Sequence, residues 1–118
     1  MILADTSVWV DHLRVGEPRL ADALDAAAVC IHPFVIGELA CGGIRKRREV
    51  LDLLAALPTV PVATDSEVLE FIERRSLMGR GVGYIDVHLL ASAVLSAGML
   101  WTRDRRLAAI ATELELGV

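Results

Sequence analysis

The chain has 118 residues, 54% hydrophobic and 24% charged, with twelve basic and sixteen acidic residues and a formal net charge of −4. That length holds one hydrophobic core and excludes a second domain of ordinary size, and no apolar run is long and charge-free enough to span a membrane. With no basic start and small-residue cleavage site, and with Cys30 and Cys41 lacking zinc spacing, the expectation is one soluble cytoplasmic domain over residues 1–118 whose reduced cysteines serve as packing.

Ile2 to Ala4 reads as a buried first strand, and Asp5 or Thr6 can cap a helix from Ser7 to Leu13. Gly16 and Pro18 break that helix, and Pro18 suits the first turn of another reaching about Ala27. Val29 to Ile31 forms a short strand, followed by a helix from Pro33 to Cys41 that Gly42 and Gly43 end. Val50, Leu51, Leu54 and Leu57 mark the apolar stripe of the next helix, which Pro58 stops. Thr59 to Val62 is a predicted strand, confined to an edge or a strand end because Pro61 cannot donate to a ladder.

Thr64 or Asp65 can cap a helix running to about Met78, and the glycines of Gly79 to Gly83 make a flexible loop into Tyr84-Ile-Asp86. Val87, Leu90, Ala91, Val94 and Leu95 then recur at the spacing of a helix buried along one side, with Gly98 as its end. Met99 to Thr102 is a strand, Leu107, Ile110, Ala111 and Leu114 repeat the helical spacing, and Val118 belongs to a last short strand. Strands alternating with helices predict an α/β fold, a three-layer α/β/α sandwich about a short, mainly parallel sheet.

In such a sheet ligands bind beyond the C-terminal ends of the strands, where Asp5 and Asp104 each follow a predicted strand. Asp86 opens a helix, and Glu38 lies in one whose neighbours Phe34, Val35, Ile36, Leu39, Ala40 and Cys41 are apolar nearly all round. Such a helix is expected to be buried, and a carboxylate inside it needs a partner. Setting these four acids aside leaves twelve acids against twelve bases, so the net charge equals the cluster. Uncompensated hard oxygens suit Mg²⁺ or Mn²⁺, although each acid alone has a plain alternative as a helix cap or exposed residue.

Thr6, Ser7 and Thr102 are hydrogen-bonding neighbours able to hold water or phosphate, and Arg80, Arg103 and Arg105 are the basic residues best placed to meet phosphates beside Asp86 and Asp104. The arginines of Arg45 to Arg48 read as a solvated helix face. His12, His32 and His88 fall in three separate elements without zinc spacing and read as structural. Trp9 and Trp101 read as core.

Four segments stand in order along the chain: Ala4-Asp-Thr-Ser-Val-Trp9, Ile36-Gly-Glu-Leu-Ala-Cys-Gly42, Gly81-Val-Gly-Tyr-Ile-Asp86 and Trp101-Thr-Arg-Asp104. Through them the chain resembles a PIN-domain ribonuclease, and within that family a VapC-type toxin of a toxin–antitoxin pair, over nearly its full length. The resemblance implies that Asp5, Glu38, Asp86 and Asp104 bind Mg²⁺ or Mn²⁺ for endonucleolytic cleavage of RNA. It also implies a homodimer, inhibition of translation and growth, and an antitoxin that covers the site. One position departs from many relatives, which carry a further acid just after the last one where this chain has Arg105 and Arg106. Two rivals remain: an inert PIN-like binding module, for which retention of all four acids is unexpected, and a receiver-like signalling domain. Receiver domains use a lysine near the last strand, whereas the sole lysine here is Lys46.

Overall fold

The computed structural model describes all 118 residues and alternates three strands with seven helices: β1 (Ile2–Ala4), α1 (Thr6–Val15), α2 (Pro18–Asp25), β2 (Val29–Cys30), α3 (Pro33–Ala40), α4 (Arg47–Ala55), α5 (Asp65–Arg75), α6 (Tyr84–Leu95), β3 (Met99–Trp101) and α7 (Arg105–Glu113). β1 is central and parallel to both neighbours, with Leu3 opposite Cys30 on one side and Leu100 on the other. The order is β2-β1-β3. The connection from β1 to β2 runs one way and the return past β1 to β3 runs the other, so right-handed crossovers place their helices on opposite faces of the sheet. That is the predicted three-layer arrangement. The same reversal opens a crevice at the carboxyl ends of β1 and β3.

Twenty-six buried residues form one contiguous core, in which Leu3 and Leu100 of the sheet meet Val8, Leu20, Val35, Leu39, Leu90, Leu107 and Ile110 from five of the helices. Each fully buried aliphatic side chain contributes about 1.5–3 kcal/mol relative to exposure. The pattern along α6 predicted one buried side, yet every residue from Val87 to Ala93 is buried while Val94 and Leu95 are exposed. This helix runs through the molecule with only its ends in water. No helix is long and apolar enough to cross a membrane.

Several expected boundaries shift for local reasons. The predicted strand from Thr59 to Val62 reduces to a single bridge between Ile31 and Thr59, made by Ile31 N–H to the Pro58 carbonyl (2.8 Å) and Val60 N–H to the Ile31 carbonyl (3.0 Å). Pro61 has no N–H to extend it. At the other end Gly117, not Val118, bridges Leu100.

Helices α2 and α5 stop before Ala27 and Met78 because Ala27 (φ 53°) and Ser76 (φ 54°) turn left-handed. The N–H groups of Ala28 and Leu77 then reach back to the carbonyls of Ala23 (2.9 Å) and Ile72 (3.0 Å), closing the helix ends. Ala97 (φ 51°) does the same for α6. Gly98 therefore does not end α6. Its missing side chain gives room instead, since a Cβ there would lie 2.9 Å from the Met1 carbonyl oxygen.

Candidate active site

β1 turns directly into α1 at Asp5, whose N–H donates to the Trp101 carbonyl (2.9 Å) and so ties the exit of β1 to the exit of β3. The Asp5 side chain caps α1: Oδ1 accepts from Val8 N–H (3.2 Å) and the Ser7 hydroxyl (2.5 Å), while Oδ2 accepts from the Thr102 hydroxyl. Three donors satisfy a carboxylate that is only 6% exposed. Ser7 Oγ also accepts Arg103 N–H (3.0 Å), and Thr102 Oγ1 accepts Asp104 N–H (3.0 Å). Asp104 then caps α7 by accepting Leu107 N–H at Oδ1 (2.9 Å).

The other two acids arrive from helices. Asp86, in the first turn of α6, accepts Gly83 N–H at Oδ2 (3.2 Å), and Glu38 in α3 accepts the Thr6 hydroxyl at Oε1 (2.6 Å). Burial raises the pKa of Asp86 above the ordinary aspartate value, against the lowering effect of the Gly83 N–H, and the charges of Asp5, Asp104 and Glu38 add to the rise. The four acids thus share one electrostatic neighbourhood, and none forms an ion pair with Lys or Arg. No three of them stand close enough to cage an ion by themselves. A dication held there would keep several of its own waters and take only one or two of the carboxylates directly.

Glu38 corrects one expectation, since it is exposed. α3 turns Val35 and Leu39 into the core and leaves Gly37 and Glu38 facing outward, with Phe34, Ile36 and Ala40 half-buried. The outer face of this apolar helix needs no cover where it borders the crevice.

The three arginines expected beside the site part ways. Arg80 grips Glu113 with two bonds (3.1 and 2.7 Å), and Arg103 pairs with Asp11 (3.2 Å) and Glu17 while its guanidinium lies 5.4 Å from the Trp101 ring centroid. Arg105 is exposed with no carboxylate partner. Trp9 and Trp101 are buried, and none of the histidines pairs with the four acids. His12 and His32 accept backbone N–H groups from Glu17 (3.1 Å) and Phe34 (2.9 Å). His88 is enclosed by His32, Phe34 and Tyr84. Sequence reasoning missed the roles of Asp11 and Glu17, and no local spacing signals them, since each meets Arg103 from far along the chain.

Fold and site define a class: an α/β domain with an open carboxylate cluster where its parallel sheet reverses order. The model of the PIN domain matches residues 2–113, and the chain belongs to that family. Within it, the chain is 52% identical over 114 residues to Ribonuclease VapC32 of Mycobacterium tuberculosis, covering 96% of this chain and 92% of the relative, in both strain CDC 1551 / Oshkosh and strain ATCC 25618 / H37Rv. The crystal structure of PAE2754 from Pyrobaculum aerophilum shares the fold, with a TM-score of 0.59 at 16% identity over 97% of this chain and 88% of that one. These matches do not favour a receiver-like domain.

Proposed function

We propose that the protein is a VapC-type toxin, an endoribonuclease that hydrolyses RNA phosphodiester bonds with Mg²⁺ or Mn²⁺ and is neutralised by a cognate antitoxin. The observation that carries this reading is the meeting of Asp5, Glu38, Asp86 and Asp104 without cationic partners at the reversal of the sheet, in a chain 52% identical to a protein named as a ribonuclease. Asp5 and Asp86 would hold the ion directly, and Glu38 and Asp104 either directly or through water. When bound, the ion lowers the pKa of its water and neutralises charge on the phosphate. Glu38, Asp86 and Asp104 each commit one oxygen to the protein, leaving Oε2, Oδ1 and Oδ2 to bind or to take a proton from the attacking water. Thr6 aims Glu38, and Ser7 and Thr102 fix the angle of Asp5. Of the three arginines, Arg105 is the one free to contact a phosphate.

Cleavage of a labelled transfer-RNA pool with Mg²⁺, with Mn²⁺, with chelator and with Asp5→Asn tests this. Discrete metal-dependent cuts are expected, falling by roughly a hundredfold or more in the variant, which keeps an acceptor for Val8 N–H and so keeps the fold, with a lower melting temperature from the acceptor lost at the Thr102 hydroxyl. Wild type and variant equally inert toward transfer, ribosomal and messenger RNA would make the protein a binding module instead.

A homodimer and a cytoplasmic location belong to the same reading; two free cysteines suit a reducing compartment. Exposed Val94 and Leu95 line a groove between α5 and α6 whose rim carries Glu67, Glu70 and Arg74, so both charge signs are present for a self-complementary contact. Sedimentation should give about twice 12.8 kDa, reduced to the single-chain mass by combining Val94→Asp with Leu95→Asp.

A further inference from the structure

A groove of about 430 Å³ runs from the acid cluster between α1 and the α3–α4 segment. Thr6 and Glu38 form its inner end, Arg14 and Arg45 stand along it, and Gly43 lies on its wall. We propose that this groove is a subsite for single-stranded RNA flanking the scissile phosphate, with the two arginines on its phosphates and aliphatic side chains against its bases. The inference rests on the nuclease reading and adds where the substrate lies.

Three observations carry it. The Thr6–Glu38 hydrogen bond (2.6 Å) is shared by site and groove, so a strand leaving the carboxylates enters the groove directly. The charges are available, since Arg14 and Arg45 are exposed and make no ion pair, whereas Arg74, Arg80 and Arg103 are already bound to carboxylates. Lys46 and Arg48, which follow Arg45 closely in the chain, are also exposed and unpaired. Finally, the volume falls within the range of roughly 300–1,000 Å³ typical of small-molecule sites, and the lining mixes aliphatic and polar groups. A cluster of four acids repels phosphate, and a protein of net charge −4 must attract RNA through local cations. This groove places such cations next to the site.

The test is binding of a short, mixed-sequence, fluorescent single-stranded RNA to the protein in chelator across a salt series. Arg14→Ala and Arg45→Ala should each weaken binding severalfold and flatten the plot of log affinity against log salt by about 0.7. Arg75→Ala, which removes an exposed, unpaired arginine of α5, should change neither. Gly43→Leu adds bulk at the groove wall without a backbone clash, because a Cβ at Gly43 meets no atom within 4 Å. It should weaken binding and leave the salt slope intact. Groove variants that bind RNA like wild type, while wild type still cuts RNA, overturn the inference and leave the nuclease reading standing. Intact RNA binding combined with loss of antitoxin binding assigns the groove to a protein and also overturns it. A wild type that neither binds nor cuts RNA removes both.

Discussion

Asp5 caps α1 with the same carboxylate that stands beside Asp86 among the four acids, which is why a sequence alone cannot separate a cap from a site residue. The hydroxyls around it, Ser7 and Thr102, were legible as neighbours through short motifs. Arg103 was legible only as a positive charge beside Asp104, and its structural partners Asp11 and Glu17 lie 92 and 86 positions away. Its guanidinium reaches α1 and the cap of α2, while its N–H bonds Ser7 Oγ, so it holds the segment from Thr102 to Asp104 over Asp5. The side chain is 39% exposed, so solvent screens these pairs and their effect is local rather than global. Arg103→Ala is therefore expected to retain its fold, to need more Mg²⁺ or Mn²⁺ for half-maximal cleavage, and to show an unchanged salt slope for RNA binding. Arg103→Lys should recover part of the metal response. A flattened salt slope in Arg103→Ala would instead make this residue a phosphate contact.

The helices that carry Glu38 and Asp86 meet through buried histidines, with the His32 and His88 rings 6.2 Å apart and packed against Phe34. His32 caps α3 through Nδ1, and its Nε2 has no partner. Burial, with a smaller contribution from His88, lowers the His32 pKa from 6.5 to about 4. His88 Nε2 in turn lies 3.7 Å from an exposed Asp65 oxygen. An imidazole held neutral in the fold gains its proton on unfolding, so between pH 6.5 and about 4 the unfolded chain binds more protons. That stabilisation is fully present above pH 6.5 and is lost as pH falls toward 4. His32→Asn keeps an acceptor for Phe34 N–H. It should melt lower at neutral pH yet show a shallower decline between pH 7 and 5, measured by circular dichroism. Parallel declines would mean that another group takes up the proton. The contact itself was not legible, because nothing local joins residues in separate elements. Helix ends were misplaced for a different reason: Ala27, Ser76 and Ala97 adopt the left-handed turn that sequence reading assigns to glycine.

At the scale of the molecule, the alternation of short apolar strands with periodic helices was enough to foresee the layers, and the layers located the crevice. What composition could not foresee was that the outer face of α3 borders that crevice, leaving Glu38 in water on an otherwise apolar helix. The net charge of −4 equals the four acids, and the fold brings these four carboxylates, none paired with Lys or Arg, into one neighbourhood. A cation that binds there and not to the unfolded chain must stabilise the whole protein by mass action. At a hundred times its dissociation constant the gain is about 2.7 kcal/mol, which for a domain of this size raises the melting temperature by about 10 °C. Mg²⁺ and Mn²⁺ titrations followed by calorimetry should show this rise in the wild type and lose it in Asp86→Asn, whose carboxylate is the one burdened by the other three. An undiminished rise in that variant would place the ion away from the crevice and separate the metal from the four acids.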